Sequence, residues 1–283
     1  MLSGDTFFAI CGAPKAGTTA LHQYLDTHPE ICMSTPKETD FFQHNYQRGW
    51  DWFESCFDPG PGVKVCGEAS PGNMIHPQAA ERIFHHRPSA RLIFILRNPI
   101  ERAYSQYYYG IMRGTGDSQQ SFSDLIRDKD DAWAQRVLEL GMYHQQLIRY
   151  TEHFHRSQMF IGLYEDFRED NRTFVRQIID FLGVDASVML KNTQRENTTR
   201  YPHHTTILRT AYAVWNPIKR LLPDPVIDAL FGVRSRVRDA FFKSGSQAKP
   251  PMDPADRAYL RALYSEPNAR LAEWLGRDLS DWP

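Results

Sequence analysis

The chain has 283 residues, 41% of them hydrophobic and 24% charged, with a formal net charge of −1. This is ample for a substantial core and for one α/β domain, and the near-zero charge excludes a global field directed at nucleic acid or acidic lipid. No apolar run reaches about 18 residues, so no membrane-spanning helix is expected, and Met1 to Asp5 lead into the first strand without a signal peptide, which predicts a cytoplasmic protein or a trimmed catalytic domain.

Phe7 to Cys11 reads as a buried parallel strand. The turn Gly12-Ala13-Pro14-Lys15-Ala16-Gly17 follows, and Thr18 to Asp26 reads as a helix with Leu21 and Leu25 on one face. Strand, glycine loop and helix together point free backbone N–H groups and a helix N-terminus at an anion. Lys15 adds a mobile charge; Thr18 and Thr19 add hydroxyls. The reading is a phosphate or sulfate cradle built from Lys15, Ala16, Gly17, Thr18 and Thr19; the plain alternative is an ordinary βα turn with a chance lysine. An ATP-binding P-loop would read G-x-x-x-x-G-K-[ST], whereas here Thr18 stands at the lysine position and the lysine lies inside the loop.

Ile31 to Ser34 is a short strand, followed by Lys37-Glu38-Thr39-Asp40-Phe41-Phe42. Asn45 to Phe57 carries Trp50, Trp52, Phe53 and Phe57 at helical spacing and is expected to form a helix packed on the core. Pro59 to Gly62 is a turn, and Val63 to Glu68 a strand. Gln78 to His86 is helical, and Arg91 to Leu96 is the clearest buried strand. Asn98 and Pro99 open a helix that runs to about Arg113. Trp133 to Phe154 forms a long helix with Gly141 as a candidate break, Met159 to Leu163 a strand, and Asn171 to Leu182 a helix closed by Gly183. The alternation predicts a P-loop-like three-layer α/β/α fold with a central parallel sheet and ligands at the carboxyl ends of the strands.

From 191 to 249 there are eleven Lys and Arg against four acids, an excess of seven. This stretch is read as a basic helical lid that meets an anionic acceptor or a carrier, with peripheral membrane contact through 205–231 as another reading and solvated helix faces as the plain one. Residues 253–283 hold a docking helix and tail. One domain, 1–283, is therefore expected, with its α/β core at 7–190. Cys11, Cys32, Cys56 and Cys66 lack metal-ligand spacing and the histidines lack a helical i, i+4 pair, so reduced thiols and no metal are expected.

After the fourth strand comes Arg97-Asn98-Pro99-Ile100-Glu101-Arg102-Ala103-Tyr104-Ser105-Gln106-Tyr107. A guanidinium and a hydroxyl together can hold a phosphate. A nucleotide triphosphatase would want an acid at this strand end for magnesium, and the chain has Arg97. Arg102 reads as a structural salt-bridging residue.

With these two motifs the chain resembles the sulfotransferases that use 3′-phosphoadenosine 5′-phosphosulfate (PAPS), nearest the heparan sulfate N- and O-sulfotransferase domains and their bacterial relatives. Pro14 to Leu21 is similar to their 5′-phosphosulfate loop, Arg97 through Ser105 and Tyr107 to their 3′-phosphate motif, Glu38 to Phe42 to the segment with their catalytic glutamate, and Glu266 to Trp282 to their C-terminal helix and tail. It departs at Ala69, where that group has a lysine, and in lacking a C-terminal cysteine pair.

The resemblance implies in-line transfer of a sulfuryl group to a hydroxyl or amine, releasing 3′-phosphoadenosine 5′-phosphate (PAP). Lys15 would steady the charge on the bridging oxygen and Glu38 would act as general base. Arg97 and Ser105, with Arg200 and Tyr201, would hold the cofactor. Glu68, Asp40 and His203 are candidates for acceptor contact, with Glu68 second choice as base. The acceptor would be a glycan, a glycolipid or a carrier-bound metabolite; a Golgi-type parent is the alternative to a cytoplasmic bacterial enzyme. The rival readings are a P-loop small-molecule or nucleotide kinase and a non-catalytic PAP-binding protein.

Overall fold

The computed structural model describes residues 6–113, 120–188 and 250–282. They fall into two compact units. The first takes in residues 6–102, 139–188 and 263–282; the second takes in residues 103–113, 120–138 and 250–262.

The first unit is built on one five-stranded sheet in the order β2-β3-β1-β4-β5. The strands are β1 (Phe7–Gly12), β2 (Ile31–Met33), β3 (Val65–Glu68), β4 (Arg91–Leu96) and β5 (Met159–Leu163). All four pairings are parallel. Every residue of β1 is buried, as a central strand covered on both faces requires, and this explains why its sequence runs apolar without alternation. Helix α1 (Thr18–Asp26) follows β1 and buries Leu21 and Leu25. The chain leaves β1 toward β3 and β2 and later crosses to β4 and β5 on the other side. The order therefore reverses at β1, and ligands in such sheets bind at the carboxyl ends of strands beside that reversal.

The expected aromatic helix over 45–57 is interrupted. A 3₁₀ turn, Tyr46–Arg48, and a short α2, Trp50–Glu54, are separated by Gly49 at φ 83°. The rings still do what their spacing suggested. Phe53 stacks on Phe41 with centroids 4.6 Å apart, and Phe7 and Phe42 close the cluster at 5.8 and 5.2 Å from Phe53. Burying a side chain of this kind is worth roughly 1.5–3 kcal/mol.

A 3₁₀ turn, Pro71–Met74, follows β3, and α3 is Ala79–His86. Helix α4 (Pro99–Arg113) starts where Asn98 Oδ1 accepts the Ile100 amide at 3.0 Å. The long helix expected over 133–154 is broken into α6 (Ala132–Glu139) and α7 (Tyr143–Thr151), after the short α5 (Phe122–Leu125). The break falls at Gly141, where a Cβ would meet Pro99 and Tyr264 at 2.9 and 2.8 Å. The fold then continues through α8 (Tyr164–Glu169), an element not expected from sequence, to α9 (Asn171–Leu182), closed by Gly183. The last helix, α10 (Pro254–Leu275), contains Pro267 and buries Leu260, Tyr264 and Leu271.

Within the second unit Phe122 lies 4.8 Å from Tyr104 and 5.3 Å from Tyr107, centroid to centroid, and buried Asp256 accepts from Arg127 and Ser123 at 2.6 Å each. No helix among the described residues is long and apolar enough to cross a membrane.

Candidate active site

Two loops leave the carboxyl ends of β1 and β3 in the first unit. The loop after β1 is held to its neighbours by backbone. Ala13 N donates to Ile95 O at 2.7 Å, and Arg97 Nη1 donates to Lys15 O at 2.8 Å. Arg97 also lies over the Tyr164 ring, 4.7 Å from its centroid, and its own carbonyl accepts the Tyr143 hydroxyl at 2.7 Å. The arginine after β4 thus braces the lysine loop as well as standing at its edge.

Gly17, at φ 85°, is the N-cap of α1, where a Cβ would press on Phe167 and Tyr164 at 3.1 Å. The N-cap glycine brings no capping side chain and no acid lies in the first turn, so the positive end of the helix dipole suits an anion. Thr18 is buried and Thr19 exposed. Lys15 and Asp40 are the two non-glycine residues with positive φ among the described residues, at 71° and 49°. Both belong to the candidate site, which is where backbone outliers concentrate.

The loop after β3 and the segment after β2 form one polar network around Glu68. Glu68 is 0% exposed. Its Oε2 accepts the Thr39 hydroxyl at 3.1 Å and also the Ser70 hydroxyl, and its Oε1 accepts Asn73 Nδ2 at 2.7 Å. Burial pushes its carboxyl up to about 7, against the pull of those three donors, and the charge of Asp40 adds to the rise. Ser70 Oγ in turn accepts the Asp40 amide at 3.0 Å, and Ala69 N donates to Lys37 O at 3.3 Å. The Asp40 carbonyl receives the amides of Gln43, His44 and Asn45. Phe41 and Phe42, both buried, anchor the far end.

The network adjoins the β1 loop. A Cβ on Gly12 would meet Met74 at 2.7 Å, and the Tyr150 hydroxyl donates to Asn73 O at 2.7 Å.

Glu38 itself is half exposed at 51% and pairs with Lys37 at 2.6 Å; the Lys37 ammonium also reaches Ala69 O at 3.5 Å. Burial and the charge of Glu38 raise the Asp40 carboxyl, with Lys37 and His44 opposing. One residue beside this pair escaped the sequence analysis. His22, on α1, feels both Lys37 and Glu38, and burial lowers its pKa. Its one signal in the sequence was position, one turn into the helix that follows the lysine loop.

Ser105 is buried in the part of α4 that belongs to the second unit, and Arg102, in the first turn, is fully buried beside Tyr143. Arg200, Tyr201 and His203, with the basic 191–249 stretch, lie outside the described residues.

A parallel sheet whose central strand runs into a lysine-bearing loop and a helix start is the architecture of an α/β protein of the P-loop-like kind. Residues 5–210 match the model of the sulfotransferase domain, and the chain belongs to that family.

Among its relatives, human heparan sulfate glucosamine 3-O-sulfotransferase 6 is 28% identical over 196 residues, covering 68% of this chain and 56% of the relative. The mouse bifunctional heparan sulfate N-deacetylase/N-sulfotransferase 4 is 27% identical over 301 residues, covering 97% and 31%. The membrane-associated sulfotransferase kil1 of Dictyostelium discoideum is 34% identical over 131 residues, covering 44% and 28%. The chain thus matches between 28% and 56% of the length of these curated relatives. A solved sulfotransferase from Alicyclobacillus acidocaldarius shares the fold at a TM-score of 0.71 and 24% identity, with 100% of this chain and 99% of that one aligned.

Proposed function

We propose that the chain transfers a sulfuryl group from PAPS to a hydroxyl or amine of a carbohydrate or another hydroxylated metabolite. The observation that carries this reading is the β1 loop: Lys15 held in a left-handed conformation, its carbonyl fixed by Arg97, ahead of a helix start whose N-cap is glycine and whose first turn holds no acid. Such a loop fits a phosphosulfate, because amide donors and a lysine are offered to it and no acid stands in the first turn.

PAPS supplies an activated sulfuryl group and leaves as PAP. The residues that would hold its 5′ end are Lys15, Ala16, Gly17, Thr18 and Thr19. Arg97 is the candidate for the 3′-phosphate in the first unit; Ser105 comes from the family motif alone. Glu38 takes the proton from the acceptor, with its carboxylate paired to Lys37. The acceptor class rests on the heparan sulfate relatives. Four free cysteines fit a reducing compartment such as the cytoplasm.

A thermal-shift comparison tests this reading. A ligand at about 100 times its dissociation constant adds about 2.7 kcal/mol of stability. PAP without metal is expected to stabilise the protein by that order and Arg97→Ala to lose the effect. Stabilisation by ATP with magnesium and none by PAP would overturn the reading in favour of a kinase.

A further inference from the structure

The segment 37–45 reaches the site as irregular backbone, with Asp40 at φ 49°. Irregular backbone keeps one conformation only where its surroundings over-determine it. Here the surroundings converge on one group. Glu68 receives Thr39, the residue after Glu38, and Ser70, which in turn holds the Asp40 amide. Thr39 Oγ1 also accepts the Phe41 amide at 3.3 Å, and Asn45 Nδ2 holds Thr39 O at 2.7 Å. Asn73, the third donor to Glu68, is fixed through its carbonyl by Tyr150. With no exposed surface, the Glu68 carboxylate is closed to any acceptor.

We propose that Glu68 is a positioning residue: from beneath the segment it staples residues 38–41 to the end of β3 and so fixes where the Glu38 carboxylate stands. This rests on the assignment of Glu38 as the base. The staple predicts two behaviours that a merely supportive core residue would not give together. Its loss frees the amides of one segment while the rest of the sheet stays protected, and it lowers turnover while leaving cofactor affinity alone.

The experiment compares wild type with Glu68→Gln, Thr39→Val, Thr39→Ser and Glu38→Gln. The first readout is amide hydrogen exchange of peptides spanning 37–45, with β4 peptides as the control. The second is the rate of sulfate release from PAPS in water, the solvent standing in for the acceptor, alongside PAP affinity. Glu68→Gln and Thr39→Val are expected to speed exchange at 37–45, to lower turnover by about 10- to 100-fold, the scale of a misplaced catalytic group, and to leave PAP affinity within about twofold. Thr39→Ser keeps the hydroxyl and is expected to behave as wild type.

Unchanged exchange over 37–45 in both Glu68→Gln and Thr39→Val overturns the staple, and Thr39→Val covers the case in which Glu68→Gln does not fold. Full turnover in the two staple variants while Glu38→Gln is inactive overturns the positioning role alone. Full turnover in Glu38→Gln removes the base assignment and with it the catalytic meaning of the staple, whose physical existence the exchange data still decide.

Discussion

Glu68 is a carboxyl whose folded state favours the proton. Its pKa rises from 4.5 to about 7, and a raised folded value means that its contribution to stability is whole below the unfolded pKa and is lost as pH climbs through the folded one. The difference is on the order of 3 kcal/mol. The groups that face it are Asp40 from the preceding segment, Cys11 from β1, Tyr150 from α7 and Cys56 after α2. Both thiols and the phenol are themselves raised by burial, so Asp40, also raised, is the neighbour that titrates nearest the same window. Glu68→Gln does not titrate. Its melting temperature is therefore expected to gain on that of wild type between about pH 4.5 and 7. Melting curves that stay parallel across that window would contradict the burial-driven shift.

At the scale of elements, the segment that carries Glu38 depends on apolar packing as much as on the Glu68 network. Phe41 is 1% exposed and touches Phe42, Tyr46, Trp50 and Phe53 within 6 Å. Phe41→Ala should cost about 3–5 kcal/mol, the cost of truncating a buried aromatic; urea unfolding checks this, and a loss below about 1 kcal/mol would show the cluster to be loosely packed.

These elements were also the most legible part of the sequence. The central strands declared themselves as continuous apolar runs, and Asn98-Pro99 and Gly183 marked a helix start and a helix end. Boundaries failed where the backbone broke a periodic run: Gly49, at φ 83°, interrupts the helix expected over 45–57. The run 133–154 has a helical pattern throughout and divides at Gly141, the candidate break, where a Cβ would collide with Pro99 and Tyr264. The loop of Lys15 was readable because its glycines, lysine and threonines adjoin one another. The Glu68 network was only half readable: Glu68, Ser70 and Asn73 adjoin one another in sequence, but Thr39 follows β2 and reaches them only because β2 pairs with β3. His22 escaped for the same reason.

Across the whole molecule, distant stretches close on the first unit's site. The tail after α10 buries Leu279 and Trp282, and Trp282 packs 6.0 Å from Tyr143, the residue whose hydroxyl holds Arg97 O. Arg277 pairs with Asp166 of α8 at 2.6 Å, in the same short helix whose Tyr164 and Phe167 line Gly17. The lysine loop therefore leans on parts of the chain more than 140 residues away from it in sequence, as sheet proteins dominated by non-local contacts do. Loosening the tail would reach the loop through Tyr143 and Arg97.

The left-handed backbone at Lys15 sets durability against chemistry. An L-residue held at such a φ gives up roughly 1–2 kcal/mol, whereas glycine adopts it freely but enters with a more disordered unfolded chain, a handicap of roughly 0.5–1 kcal/mol. From the backbone alone, Lys15→Gly is therefore expected to gain up to about 1 kcal/mol in chemical denaturation, set against the contacts its side chain gives up, while losing PAP binding. A selection for heat resistance alone, blind to turnover, would drift toward glycine at position 15; a population kept under demand for product would hold the lysine and live with the weaker fold.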